Sequence, residues 1–230
     1  MLSSLTIEME RIAKGLGAAG LVMMGAGMYA ALLWAPPDEV QGNVQRIMYL
    51  HAPTAWVAYL AFFIVFLFSL VYLLKRERRW DAVAHSSAEI GVLFTALAII
   101  TGSIWGKPTW GTWWTWDARL TTTAILLFIY IGYLMLRSFA LDPAQGARYA
   151  AVVGIVGFLD IPIIHMSVVW WRTLHQAPSL IRPGGPTVAP SMLLVLFLNL
   201  LAFTLIFFHL LLRRIRLEGL KERREGLIHG

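Results

Sequence analysis

Apolar residues fall into six blocks, 15–34, 53–74, 85–104, 120–136, 149–171 and 189–212, and most Pro and charged positions lie between them. Each block is near the ~20 residues an α-helix needs to cross a bilayer, the fourth being the shortest. No long polar segment remains from which a separate soluble domain could be built. The pattern therefore predicts an all-α, polytopic membrane protein: six transmembrane helices in a single helical membrane domain over residues 1–230. The first block follows Glu8, Glu10, Arg11 and Lys14 and shows no small-residue cleavage pattern behind a short apolar core. It is expected to be a retained span and not a cleaved signal.

Composition agrees, with 58% hydrophobic and 14% charged residues, far from the averages of soluble domains. Charge then supplies orientation, because Lys and Arg in short loops stay cytoplasmic. Arg11, Lys14, the four basic residues of 75–79, Arg137, Arg148 and the six of 213–224 share one side, and Arg46, Lys107, Arg119, Arg172 and Arg182 the other. The bias puts both termini in the cytoplasm and the loops near 35–52, 105–121 and 172–188 on the opposite, periplasmic face of a bacterial inner membrane. The net charge of +6 is thus explained by topology and by anionic lipid headgroups, and nucleic acid is not expected as a partner. The 213–224 run is a membrane-anchoring charge cluster that would also suit docking of a cytoplasmic subunit. With no cysteine, disulfides and thiolate metal sites are excluded, and metal chemistry must use other ligands.

Ten tryptophans are present, and all but Trp80 lie at or beyond the outer end of a span. An interfacial aromatic belt is two-sided, so a nine-to-one split points elsewhere. Trp34 and Trp56 remain candidate interfacial anchors, and Trp170 with Trp171 suits a structural role as well as a ligand role. Trp105, Trp110, Trp113, Trp114 and Trp116 crowd into 105–121, which is expected to be a loop. Such a concentration of indoles grips a flat conjugated ligand by stacking and by removing apolar area from water. Of six histidines, His85, His209 and His229 belong to the cytoplasmic side. His51 precedes the second span and His175 follows the fifth, both on the Trp-rich side. Two imidazoles, an indole platform between them and several outer cations are what a macrocycle with two axial positions and anionic propionates requires. Asp117 and Arg119 close the Trp-rich run, where Arg119 either binds an anion or pairs locally with Asp117.

The run Trp-Gly-Lys-Pro-Thr-Trp-Gly-Thr-Trp-Trp-Thr-Trp-Asp-Ala-Arg-Leu-Thr, from 105 to 121, resembles the WWD signature of the haem-handling membrane proteins of cytochrome c biogenesis. With Tyr-Leu-His-Ala-Pro-Thr-Ala-Trp around His51 and Trp-Trp-Arg-Thr-Leu-His-Gln around His175, the chain looks most like the CcmC family over nearly its whole length. The resemblance implies transient binding of haem b at the periplasmic face, with His51 and His175 as axial ligands of the iron. It implies haem contact by Trp105, Trp110, Trp113, Trp114, Trp116, Asp117 and Arg119. It further implies a carrier without catalytic residues, delivery to the haem chaperone CcmE, and association with the ABC transporter CcmAB and the small membrane protein CcmD.

The fifth span departs from the family pattern, reading Leu-Asp-Ile-Pro-Ile-Ile-His at 159–165. An ionisable residue within a span is a functional candidate by default; Asp160 either serves as one or bonds to backbone freed by Pro162. His165 is the rival axial ligand to His175. Two other function classes fit the composition: a permease subunit driven by a separate ATPase, since the chain has no P-loop, and an electron-transfer subunit holding a permanent b-type haem. Few polar residues at midspan count against the first; the second needs histidine pairs inside spans. Small residues at Gly20, Ala26, Gly27, Ala30 and Ala31 suit close helix contact, within the bundle or with another subunit.

Overall fold

A computed structural model describes residues 2–176 and 184–228, and the described residues are overwhelmingly helical. α1 (Leu2–Tyr29) runs into a π-helical turn at Ala30–Trp34, and a short 3-10 helix (Asn43–Ile47) leads into α2 (Met48–Lys75). There follow α3 (Arg78–Trp110), α4 (Ala118–Phe139), α5 (Pro143–Phe158), α6 (Asp160–Trp170) and α7 (Pro190–Ile228). Among the described residues six segments are long and apolar enough to span a membrane: Ile7–Trp34, Asn43–Lys75, Arg78–Trp110, Ala118–Phe139, Pro143–Trp170 and Pro190–Lys221. The helices outrun the apolar blocks because polar residues at a membrane surface still favour helix once the span has nucleated it. α7, at 39 residues, is about 58 Å long and exceeds the ~30 Å hydrocarbon core.

Small residues set the helix spacing. A Cβ at Gly91 of α3 would stand 2.4 Å from Phe62 of α2, and Phe62 stacks on Tyr130 of α4 with centroids 3.6 Å apart. The Tyr130 hydroxyl donates to the carbonyl of Gly154 in α5 at 2.9 Å, where a Cβ would meet Val65 of α2 at 2.9 Å. Four helices are thus locked along one line of contacts around a buried cluster that includes Val65, Leu126 and Ile164. On the other flank α1 packs on α7, with Gly17, Gly20 and Gly27 against His209, Ile206 and Asn199. Gly20 and Gly27 therefore serve packing within the bundle, whereas Ala26 is exposed.

The end of the bundle holding both termini is laced by ion pairs. Arg216 binds Glu10 at 2.6 Å, the His209 ring bonds to the Ala13 carbonyl at 2.7 Å, and Arg137 grips both oxygens of Asp81. His85, Glu89 and Glu218 converge there closely enough to hold a cation, but Arg214 already binds both carboxylates. That cluster is an α3–α7 latch. Trp80 also sits at this end, with the Arg79 guanidinium 4.5 Å from its ring centroid.

The fifth span is broken at Leu159 between α5 and α6. Pro162 has no N–H to return to the Phe158 carbonyl, which is the physical reason for an interruption there. Asp160 opens α6, with one carboxylate oxygen buried and without a hydrogen-bond partner among the described residues.

Candidate functional site

The end opposite the termini gathers the Trp-rich segment, His51 and His175. The segment expected as a loop over 105–121 is helical through Trp110 and again from Ala118, leaving only 111–117 irregular. Pro108 does not stop α3, which runs on to Trp110 although the bond to the Ile104 carbonyl is lost. Termination waits for Gly111, whose φ of 78° closes α3 through its N–H to the Lys107 carbonyl at 3.0 Å. Lys107 Nζ returns to the Gly111 carbonyl. This correction matters for the site: Trp105 and Trp110 project from a rigid helix, about 7.5 Å apart along its axis.

Each of these indoles meets one histidine. Trp105 lies edge-on to His51 of α2, centroids 5.7 Å apart at 71°, and Trp110 lies edge-on to His175 at 4.7 Å and 64°. One helix of α3 therefore carries contacts to both imidazoles. Gln41 fixes Trp105 by accepting its indole N–H at 2.8 Å. Gln41 is itself placed by a tight turn in which Asp38 pairs with Gly42 and accepts from the N–H groups of Val40 and Gln41. Gly42 has a φ of 57°, where glycine is favoured. The sequence reading passed over Gln41; the Asp-x-x-x-Gly spacing of 38–42 was the available turn signal.

The irregular stretch is held from beneath. Ser103 donates to the Trp113 carbonyl at 2.8 Å, Thr112 donates to the Trp114 carbonyl at 2.9 Å, and Trp114 packs edge-on against Trp116. Trp113 and Trp116 remain exposed, the latter at 78%. Asp117 caps α4, its Oδ1 accepting from Leu120 N at 2.8 Å, and its Oδ2 accepts from Leu174 N at 3.2 Å. The same Oδ2 lies 3.6 Å from His175 Nδ1, beyond hydrogen-bond distance. Asp117 thus ties the start of α4 to the irregular segment carrying His175 and does not form the local pair with Arg119 that the sequence left open.

Burial pushes the His175 imidazole down to about 4, the nearby Arg119 guanidinium adding to the effect and Asp117 opposing it. A ring held neutral keeps a lone pair available for a metal. Arg119, which also faces the Tyr59 hydroxyl, is the outer cation directed into the site. Arg46 instead binds Asn43 and caps the Ala31 carbonyl beside the π-helical turn, Lys107 caps α3, Arg172 is exposed, and Arg182 lies outside the described residues.

His165 points outward from α6 and is exposed, so the structure does not bring it to the indoles. His85 and His209 sit at the far end, and His229 lies outside the described residues. Trp56 donates to Thr204 of α7 at 3.0 Å, a helix-to-helix tie. Trp34 is exposed, and Trp170 and Trp171 contact each other edge-on at the surface. Three polar atoms around the indoles, Trp114 Nε1, Thr115 Oγ1 and His175 Nδ1, are buried with no hydrogen-bond partner among the described residues. Buried orphans of this kind are costly unless a ligand uses them.

Residues 3–228 match the family model for heme exporter protein C, CcmC. The chain belongs to the CcmC family. Relatives named heme exporter protein C include that of Bradyrhizobium diazoefficiens, 42% identical over 94% of this chain and 82% of its own length. That of Haemophilus influenzae is 45% identical over 88% of this chain and 82% of its length. The Escherichia coli K12 relative is 39% identical over 87% and 81% respectively.

Proposed function

We propose that this chain takes up haem b as a transient cargo at its Trp-rich end and passes it to the haem chaperone CcmE during cytochrome c maturation. The observation that carries the reading is the pairing of His51 with Trp105 and of His175 with Trp110, two imidazoles disposed about indoles of a single helix. The donor set suits haem: neutral imidazoles for the iron, indole faces and edges for the ring, and Arg119 for a propionate. The exposed Trp113 and Trp116 leave one side open to an acceptor. The mechanism is binding and handover, without a catalytic group: stacking supplies affinity, ligation fixes orientation, and release follows exchange of iron ligands with the acceptor. The family supports placement beside the ABC transporter CcmAB and the small membrane protein CcmD.

Detergent-purified wild type is expected to carry a Soret band that the double variant His51→Ala/His175→Ala lacks. A double variant with unchanged haem content overturns the reading.

The basic-residue bias supports a periplasmic Trp-rich end and a cytoplasmic latch end. Because the chain has no cysteine, single cysteines report topology cleanly. Val40→Cys, 93% exposed in the 35–52 loop, is expected to react with a membrane-impermeant maleimide in intact spheroplasts, and Arg76→Cys only after lysis. The reverse pattern would invert the orientation.

Asp117 separates capping from electrostatics. Asp117→Asn retains the N-cap acceptor but turns an NH2 towards Leu174 N–H and so loses that tether, whereas Asp117→Ala loses the cap as well, worth about 1 kcal/mol. Haem content and thermal stability are expected to fall in both, further in Asp117→Ala.

A further inference from the structure

We propose that Thr101 decides which nitrogen His51 offers to the iron: its hydroxyl accepts from Nδ1–H and leaves Nε2 as the ligating atom. The inference rests on the reading of His51 as a haem ligand and adds to it a positioning residue one helix away.

The argument begins with one proton. Thr101 is buried on α3, and its Oγ1 lies 2.8 Å from the Leu97 carbonyl and 3.2 Å from the Ala98 carbonyl. Carbonyl oxygens only accept, so the single hydroxyl proton is committed to the helix's own backbone. His51 Nδ1 approaches the same Oγ1 at 3.1 Å and therefore meets a lone pair. The contact is a hydrogen bond only if Nδ1 carries the proton. A neutral imidazole protonated at Nδ1 has its free lone pair on Nε2.

Space around the ring agrees. A Cβ at residue 102 would lie 3.0 Å from His51 Cε1 and 3.8 Å from Nε2, so Gly102 keeps that edge of the imidazole uncrowded. Trp105, one turn further along α3, sets the ring's tilt by its edge-on contact. Positions 101, 102 and 105 thus act as one cradle: an acceptor for Nδ1, an absent side chain beside Cε1, and an indole beside the ring. His175 has no such partner, since its Nδ1 makes no hydrogen bond and faces Asp117 at 3.6 Å. The two imidazoles are consequently oriented by different means, a neutral hydroxyl on one and a carboxylate on the other.

The test is the nitrogen NMR spectrum of haem-free, 15N-histidine-labelled protein in detergent, with the His51 signals assigned by their loss in His51→Ala. Wild type and Thr101→Ser are expected to show the Nδ1-protonated tautomer, and the nearly isosteric Thr101→Val a mixture. A wild-type ring protonated at Nε2, or a tautomer unchanged in Thr101→Val, overturns the proposal. In haem-loaded protein Thr101→Val is expected to retain haem about 10-fold less tightly with an altered Soret band, and Thr101→Ser to restore both. If the tautomer is as expected but His51→Ala leaves the haem spectrum unchanged, the ligand reading fails and the iron half of this proposal falls with it. The hydroxyl-set tautomer would then stand on the haem-free result alone.

Discussion

His51→Ala and His175→Ala are each expected to lose haem on the order of tenfold or more, since removal of a ligand costs at least what removal of its outer partner does. His165→Ala is expected to retain wild-type haem. Both imidazoles touch indoles of α3, whereas His165 is exposed on the outer surface of α6. Haem content and the Soret band of the three purified variants decide the matter; dependence on His165 alone would sink the assignment. Acid gives an independent check through His175. Its folded-state value of about 4 lies below its ordinary value of 6.5, so the neutral ring persists in the fold while the unfolded chain takes up a proton. Stability from this group is full above about pH 6.5 and is lost as pH falls towards 4. The thermal midpoint of haem-free protein is therefore expected to fall between about pH 6.5 and pH 4, and to fall less in His175→Ala, read across a pH series.

Gly91→Leu is expected to be the most damaging single change to the bundle. Even a Cβ at this position would stand 2.4 Å from Phe62 Cε1, and Phe62 has no room to retreat because it stacks on Tyr130 at 3.6 Å. Tyr130 in turn is held by its bond to Gly154. Overpacking of this kind costs about 1–3 kcal/mol for added methylenes, so Gly91→Ala is expected to lower the thermal midpoint in detergent and Gly91→Leu to abolish monodisperse protein. Phe62→Leu in the Gly91→Ala background is expected to restore part of the loss by vacating the contact. An unchanged midpoint in Gly91→Ala would show that α2 and α3 separate freely, contrary to the packing.

Much of the helical content was legible in the chain because a bilayer core admits few alternatives: about 20 apolar residues in lipid must satisfy their backbone as helix. The Trp-rich end was legible for a related reason, since large aromatic residues and histidines concentrated on one side of the spans are conspicuous in composition. Helix ends were less so. Residues from Trp105 onward read as loop, yet α3 continues to Trp110 and is closed by Gly111 at positive φ. Gln41 and Thr101 were invisible, since nothing in a lone polar residue announces that it will meet an indole 64 positions away or an imidazole 50 positions away.

The sequence by itself determined that this chain spans a membrane six times, through the period and length of its apolar blocks, and that His51, His175 and the Trp-rich segment share an end, through the parity of the spans. Tertiary structure decided which of these residues meet. It turned His165 outward, drew Asp117 to His175 and away from Arg119, and committed Arg46 and Lys107 to backbone carbonyls. Membership of an end is a one-dimensional property fixed by local hydropathy. Contact between side chains depends on helix rotation and spacing, which are set by packing such as Gly91 on Phe62 and cannot be read one segment at a time.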